Sequence, residues 1–192
     1  MAKSKGGSAK AQPLALELLM ADHRKVEDLF ERYDSEKESD ENTRRDIAQQ
    51  ICNELTVHAQ VEEEILYPWL RKNLDDQEMV EEAQIEHNTA KDLIAQIEGS
   101  ESVDDAYNAR VKVLSEYIKH HVKEEENEIF PEVRGQKEEL DELGQEMAAR
   151  KGELMEELGI TQESDEEESE DMASPGAPGK PGARESTQRG SR

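Results

Sequence analysis

Two eleven-residue stretches of this chain align without a gap: HAQVEEEILYP, which begins at His58, and HVKEEENEIFP, which begins at His121. In both, a glutamate follows the histidine by four residues and a proline by ten. In an α-helix, residues four apart project from nearly the same face, about 6 Å apart along the axis. His58 with Glu62, and His121 with Glu125, therefore each offer an imidazole nitrogen and a carboxylate to one point. An acid–histidine pair precedes each stretch, Asp22-His23 in the first half and Glu86-His87 in the second. His23 lies 35 residues before His58 and His87 lies 34 before His121, so a helix pair is used twice.

All six of these side chains fall on inward apolar stripes. An unpaired carboxylate in a bundle core carries a heavy desolvation cost or takes up a proton. A bound metal cation removes that penalty. Four imidazoles and two carboxylates suit iron better than calcium or magnesium, although manganese and zinc accept the same donors. The candidate metal ligands are His23, His58, Glu62, His87, His121 and Glu125. His120 adjoins His121, but the repeat and the stripe favour His121, and His120 is expected to face solvent. Glu63 and Glu126 are each rotated about 100° from the chosen glutamates and are expected at the surface. Glu27, four residues after His23, is expected in a helix-surface salt bridge.

The elements that must position these groups are helices. Leu16, Leu19, Met20, His23, Val26, Phe30 and Tyr33 mark one face of a first helix after Pro13. A second runs from about Thr43 to Arg71 along Ile47, Ile51, Leu55, His58, Glu62, Ile65 and Trp69, with Pro68 expected to kink it. A third spans about Asp76 to Glu98, with Gly99 as its C-cap. A fourth starts after the Ser102–Asp104–Asp105 signal and follows Tyr107, Leu114, Tyr117, Ile118, His121, Glu125 and Ile129 until Pro131 closes it. A fifth amphipathic segment covers about Gln136 to Leu158, either packed on the bundle or mediating association. The predicted fold is all-α: an antiparallel up-down-up-down four-helix bundle over 13–132, a C-terminal amphipathic helix over 133–160, a disordered basic arm over 1–12 and a disordered tail over 161–192.

Composition narrows the function classes. Hydrophobic residues make up 33% and charged residues 38% of the 192, too apolar-poor for a large core but sufficient for one stripe per helix. The formal net charge is −24, and residues 14–160 hold 40 acids against 17 bases. Such a surface repels phosphates and anionic lipid, so neither nucleic acid nor membrane is expected as a partner. A lone cysteine, Cys52, excludes an intrachain disulfide framework and reads as an inert buried thiol. There is no membrane-spanning run and no secretory signal pattern, which makes the cytoplasm the expected compartment. No nucleophile elbow or phosphate-cradling glycine loop occurs.

The order His, His-x3-Glu, His, His-x3-Glu resembles the hemerythrin-like HHE cation-binding domains over residues 14 to 132. The resemblance implies two non-haem irons with an oxo or hydroxo bridge. Glu62 and Glu125 would be carboxylate bridges, and the four histidines terminal ligands. The chain departs from oxygen-carrying hemerythrins, which have a second third-helix histidine where Lys91 stands. They also use an aspartate where this chain has Glu126 and the better-matched Glu125. Fewer histidines leave more coordination positions open, which favours iron chemistry or sensing over reversible oxygen carriage. The pattern is also similar to bacterial proteins that repair iron–sulfur centres, but their cysteine-containing N-terminal domain has no counterpart here. The expected function is binding of, or reaction with, a small oxidant (oxygen, peroxide or nitric oxide) in stress response or redox sensing. The alternatives are a non-catalytic iron-handling module and an interaction scaffold built on the fifth helix and tail. Oligomeric state is left open by the sequence.

Overall fold

The computed structural model describes residues 11–160; the expected tail over 161–192 and residues 1–10 of the expected arm lie outside the described residues. The described chain is helical, without strands. α1 spans Leu14–Ser35, α2 Glu41–Val61, α3 Tyr67–Asn73, α4 Gln77–Glu98, α5 Asp105–Glu124, α6 Phe130–Val133 and α7 Lys137–Glu157. Two π-helical turns, Glu62–Leu66 and Glu125–Ile129, run α2 into α3 and α5 into α6 without a break. Short connections between α1, α2–α3, α4 and α5–α6 reverse the chain at each step and give the antiparallel four-helix bundle.

Side chains start most of these helices. Asp40 accepts from the backbone N–H of Asn42 and Thr43, Asp76 from Glu78 and Asp104 from Tyr107, each satisfying a first-turn donor. Pro13 has no capping side chain, and the cap comes from across the fold: Leu14 N–H donates to Asp141 of α7 at 2.8 Å. Gly99 follows α4 in the right-handed region, so it caps without the left-handed turn that would demand glycine.

The π turns change which residues face inward. The periodic stripe placed Ile65 and Trp69 toward the core, yet both are half-buried while Leu66 and Leu70 are buried. In the wide turn Tyr67 N–H reaches back five residues to the Glu62 carbonyl, and Phe130 N–H to that of Glu125. One extra residue enters the repeat, and the inward face moves on by one position. Pro68 lies within a continuous helical run, and Pro131 does not close a helix. Both occupy first-turn positions directly after the π turns, where the hydrogen-bond ladder is already changing register. One other stripe expectation also fails: Tyr117, one position off the line of Leu114, Ile118 and His121, is exposed; Leu158, the expected end of the fifth segment, is exposed beyond the end of α7.

The apolar core divides into two clusters. One joins Leu16, Leu19, Leu66, Tyr67, Leu70 and Phe130 to Leu140, Met147 and Leu154 of α7. The other joins Phe30, Ile51, Leu55, Ile94, Tyr107 and Leu114. Along every rod of the bundle the candidate ligands separate one cluster from the other. Cys52 lies in the second, and burial pushes its thiol up to about 12, as an inert thiol requires. α7 packs on the bundle through its apolar face and crosses α1 at Gly144. A Cβ built there would lie 2.5 Å from the Ala15 backbone nitrogen.

Candidate metal centre

Each rod delivers its ligands at the junction between the two apolar clusters. His23 comes from α1, His58 from α2 and Glu62 from the first π turn. His87 comes from α4, His121 from α5 and Glu125 from the second π turn. All six are buried, and both glutamates are 0% exposed. They form two groups that share Glu62. One is His23, His58, Glu62 and Glu125; the other is Glu62, His87 and His121; in each, ligand atoms lie within 4.8 Å of one another.

The glutamates stand between the groups. Glu62 Oε2 lies 3.3 Å from His58 Nε2 and 3.3 Å from His87 Nε2. Glu125 Oε2 lies 3.2 Å from His23 Nε2 and 3.6 Å from His121 Nε2. None of these contacts is aligned as a hydrogen bond. Both oxygens of Glu62, both of Glu125, and His23 Nε2 are buried with no hydrogen-bond partner. Buried carboxylate oxygens without hydrogen bonds carry a desolvation cost that a cation held between them and the imidazoles would offset. Burial would raise the Glu62 carboxyl, but His58 and His87 beside it hold it well below the usual range in the metal-free chain. Burial would lower His87, but Glu62 and Glu63 raise it to about 9.

A ring of carboxylates orients the imidazoles. Glu126 meets His23 Nδ1 at 3.0 Å, Glu63 meets His87 Nδ1 at 3.2 Å and Glu86 meets His121 Nδ1 at 2.8 Å. Asp22 faces His58 Nδ1 at 3.6 Å, an ionic contact longer than a hydrogen bond. Where an outer carboxylate holds the Nδ1 proton, as Glu126, Glu63 and Glu86 can for His23, His87 and His121, the Nε2 lone pair would be left facing inward, the tautomer a metal ligand needs; His58 Nδ1 has no such hydrogen bond. The Nε2 atoms of His87 and His121 then face each other at 3.1 Å, an arrangement that a cation or proton between them satisfies.

This ring corrects the sequence expectation for Glu63 and Glu126. Their side chains are 21% and 19% exposed, and they hold ligand histidines of neighbouring helices instead of lying on the surface. The acid–histidine pairs were visible in the sequence, but each acid serves another helix. Asp22 serves His58, not its neighbour His23, and Glu86 serves His121. Lys91, standing where oxygen carriers have a histidine, donates to Glu63 at 2.5 Å. Arg24 donates to Glu126 at 2.8 Å, and Lys151 of α7 pairs with Asp22. His120 is 59% exposed and Glu27 is exposed, so neither reaches the cage.

Sequence reasoning missed Tyr67. Its buried hydroxyl shares a hydrogen bond with His87 Nε2 at 3.1 Å. The repeat places Phe130 at the equivalent position, where its ring stacks 6.1 Å from that of His23. Beside the histidines lies a cavity with room for the centre of a water-sized sphere over about 20 Å³, lined on its apolar side by Val26, Leu55, Ala90, Ile94 and Ile118. That volume holds about one water-sized molecule.

Comparison with known proteins agrees with this geometry. The family profile "Hemerythrin HHE cation binding domain" matches residues 14–133. The crystal structure of a hemerythrin HHE cation binding domain-containing protein from Mycobacterium kansasii superposes with a TM-score of 0.64 at 23% identity, covering 77% of this chain and 89% of that one. A protein of Nostoc sp. named "DNA nickase" is 29% identical over 158 residues, which are 80% of this chain and 43% of that protein. This chain thus spans less than half the length of that relative. The matched residues carry the whole cage, and the chain belongs to the hemerythrin HHE cation-binding domain family.

Proposed function

We propose that the cage holds two non-haem irons and that the protein binds or reacts with a small oxidant (oxygen, peroxide or nitric oxide) in the cytoplasm. The observation that carries this reading is the set of four unpartnered carboxylate oxygens of Glu62 and Glu125, buried among four inward-facing imidazoles. His23 and His58 would hold one iron, His87 and His121 the other, with Glu62 and Glu125 spanning both. The bound irons would supply reversible one-electron chemistry and open positions for a small ligand. With metal bound, the outer carboxylates Glu126, Glu63 and Glu86 would hold the Nδ1 protons of His23, His87 and His121 and so leave their Nε2 atoms to the metal. The apolar wall formed by Leu55, Ile94 and Ile118 excludes bulk water, and the small cavity beside it admits a ligand of two or three atoms, not an organic substrate. The Tyr67 hydroxyl, hydrogen-bonded to His87 Nε2, lies on the His87 side.

The test is metal content per chain with an optical spectrum, for protein from iron-supplied cells. Two irons, with a band that shifts when the reduced protein meets oxygen, peroxide or nitric oxide, are expected. His58→Ala with His121→Ala should abolish the iron, and unchanged iron content would refute the ligand set. Rapid loss of iron to a weak chelator, with no spectral response to any oxidant, would favour an iron-handling module. The name of the Nostoc relative raises DNA cleavage, but a net charge of −24 repels a phosphate backbone, and we assign nucleic acid no part. Conversion of supercoiled plasmid to nicked circles by the loaded protein would overturn that assignment.

A further inference from the structure

Among the described residues, a further cluster of metal-ligating side chains lies outside the cage, on the face shared by α4 and α5. His120 Nε2 is 3.7 Å from Glu86 Oε1 and 3.0 Å from Glu124 Oε1, and one ligand atom from each of the three residues falls within 4.8 Å of the others. The second oxygen of Glu86 accepts from the buried His121 Nδ1. One carboxylate therefore touches an exposed histidine and a buried ligand at once.

The three remaining carboxylates of the outer ring each carry a fixed cation: Lys151 on Asp22, Lys91 on Glu63 and Arg24 on Glu126. Glu86 has His120 and a further acid, Glu124, in that place. Outside the cluster is an open groove that Glu78, Glu82 and Glu116 line. Inside it is a small cavity of about 40 Å³ between Glu82, Glu86, Glu124 and Glu128, and this cavity reaches His121 and Glu125. Glu125 is fully buried, and neither of its oxygens has a hydrogen-bond partner. Carboxylates thus follow one another from solvent to the cage, with Met79, Ala83 and Ile129 completing the inner cavity's wall.

We propose that Glu86, His120 and Glu124 form a loading site, where a divalent cation exchanges part of its water shell for protein ligands before passing to Glu125. The proposal rests on the reading of the cage as a metal centre. A bare cation crossing an apolar wall loses its hydration without compensation, whereas carboxylates replace it stepwise. The apolar cavity on the other side of the histidines suits a neutral ligand instead. Metal and oxidant then reach the cage from different sides.

The test uses cobalt(II) as the probe on the full metal-free chain, with uptake followed by stopped-flow absorbance and bound cobalt counted after desalting. The His120→Ala/Glu124→Gln variant should load about tenfold more slowly, the low end of what focusing by a charged cleft gives, and reach the same final content. Glu116→Gln removes the same carboxylate charge from the groove outside the cluster and should load at close to the wild-type rate. An unchanged rate in the double variant, or equal slowing in Glu116→Gln, would overturn the loading site and leave the cage intact. So would a lower final content in the double variant, which would make these residues part of the retaining site. A wild-type chain that binds no cobalt would overturn the metal centre itself, and the loading site with it.

Discussion

Lys151 connects a helix outside the matched family region to the metal cage, and its replacement gives a quantitative test of that connection. The chain of contacts runs from Lys151 on α7 to Asp22 on α1 and on to His58 on α2. Lys151 and Asp22 are 17% and 10% exposed at their side chains, so the pair lies between a surface ion pair and a buried one. Surface pairs contribute about 0–1 kcal/mol, while breaking a buried pair costs about 3–5 kcal/mol. Burial would raise the Asp22 carboxyl, but His58 and Lys151 together hold it below its usual range. Because His58 remains as a partner when Lys151 is lost, the cost falls toward the lower bound. Lys151→Met, which keeps the aliphatic stem, should destabilise the metal-free protein by about 2 kcal/mol, a melting-point drop of roughly 4–8 °C. The assay is urea unfolding of wild type, Lys151→Met, Asp22→Asn and the double variant. The cycle should return a coupling energy of about 1–2 kcal/mol. Asp22→Asn should also weaken metal binding about 10- to 100-fold, as loss of an outer carboxylate does, and Lys151→Met less. A coupling energy of zero, or Lys151→Met indistinguishable from wild type, would refute the contact chain.

The metal-free protein should be most stable in a narrow acidic window. Burial would raise Glu63, but His87 and Lys91 bring its carboxyl down to about 2, so its contribution is present above pH 4.5 and lost as pH falls toward 2. His87, raised to about 9, contributes below pH 6.5, and that contribution is lost as pH rises through 9. Urea midpoints should therefore plateau near pH 4.5–6.5 and fall on both sides. A midpoint rising from pH 6.5 to 9 would contradict this, and metal loading should abolish the alkaline fall, because the ligand imidazole is then held neutral. Gly144→Ala places a Cβ 2.5 Å from the Ala15 nitrogen and 2.8 Å from the Leu14 carbonyl carbon. The overpacking cost of about 1–3 kcal/mol should outweigh the gain in helix propensity. Gly152→Ala, with nothing within 4 Å, should instead stabilise by up to about 1 kcal/mol, and calorimetry distinguishes the two signs. Tyr67→Phe should cost about 1 kcal/mol for one buried hydrogen bond, leaving metal content unchanged because Phe130 fills the same position in the second repeat. Loss of metal in that variant would make Tyr67 a ligand.

The duplicated His-x3-Glu signal made the bundle and its six inward polar residues legible before any coordinates, because one helical period governs both the apolar stripe and the four-residue ligand spacing. The helix start at Asp104 and the inertness of Cys52 were also local matters of chemistry and position. The π turns were not legible, since a stripe read at constant period has no place for one extra residue, and so Ile65 stood where Leu66 belongs. Nor was the outer ring. Glu63 and Glu126 look like surface residues beside their own helix, and only the packing of α4 and α1 against the π turns gives them His87 and His23 to hold. Asp22 finds both partners, His58 and Lys151, on other helices, the second 129 residues away. Periodicity along one helix determines which side chains point inward. Which carboxylate meets which imidazole depends on how helices pack across the bundle, and that only the tertiary structure decided.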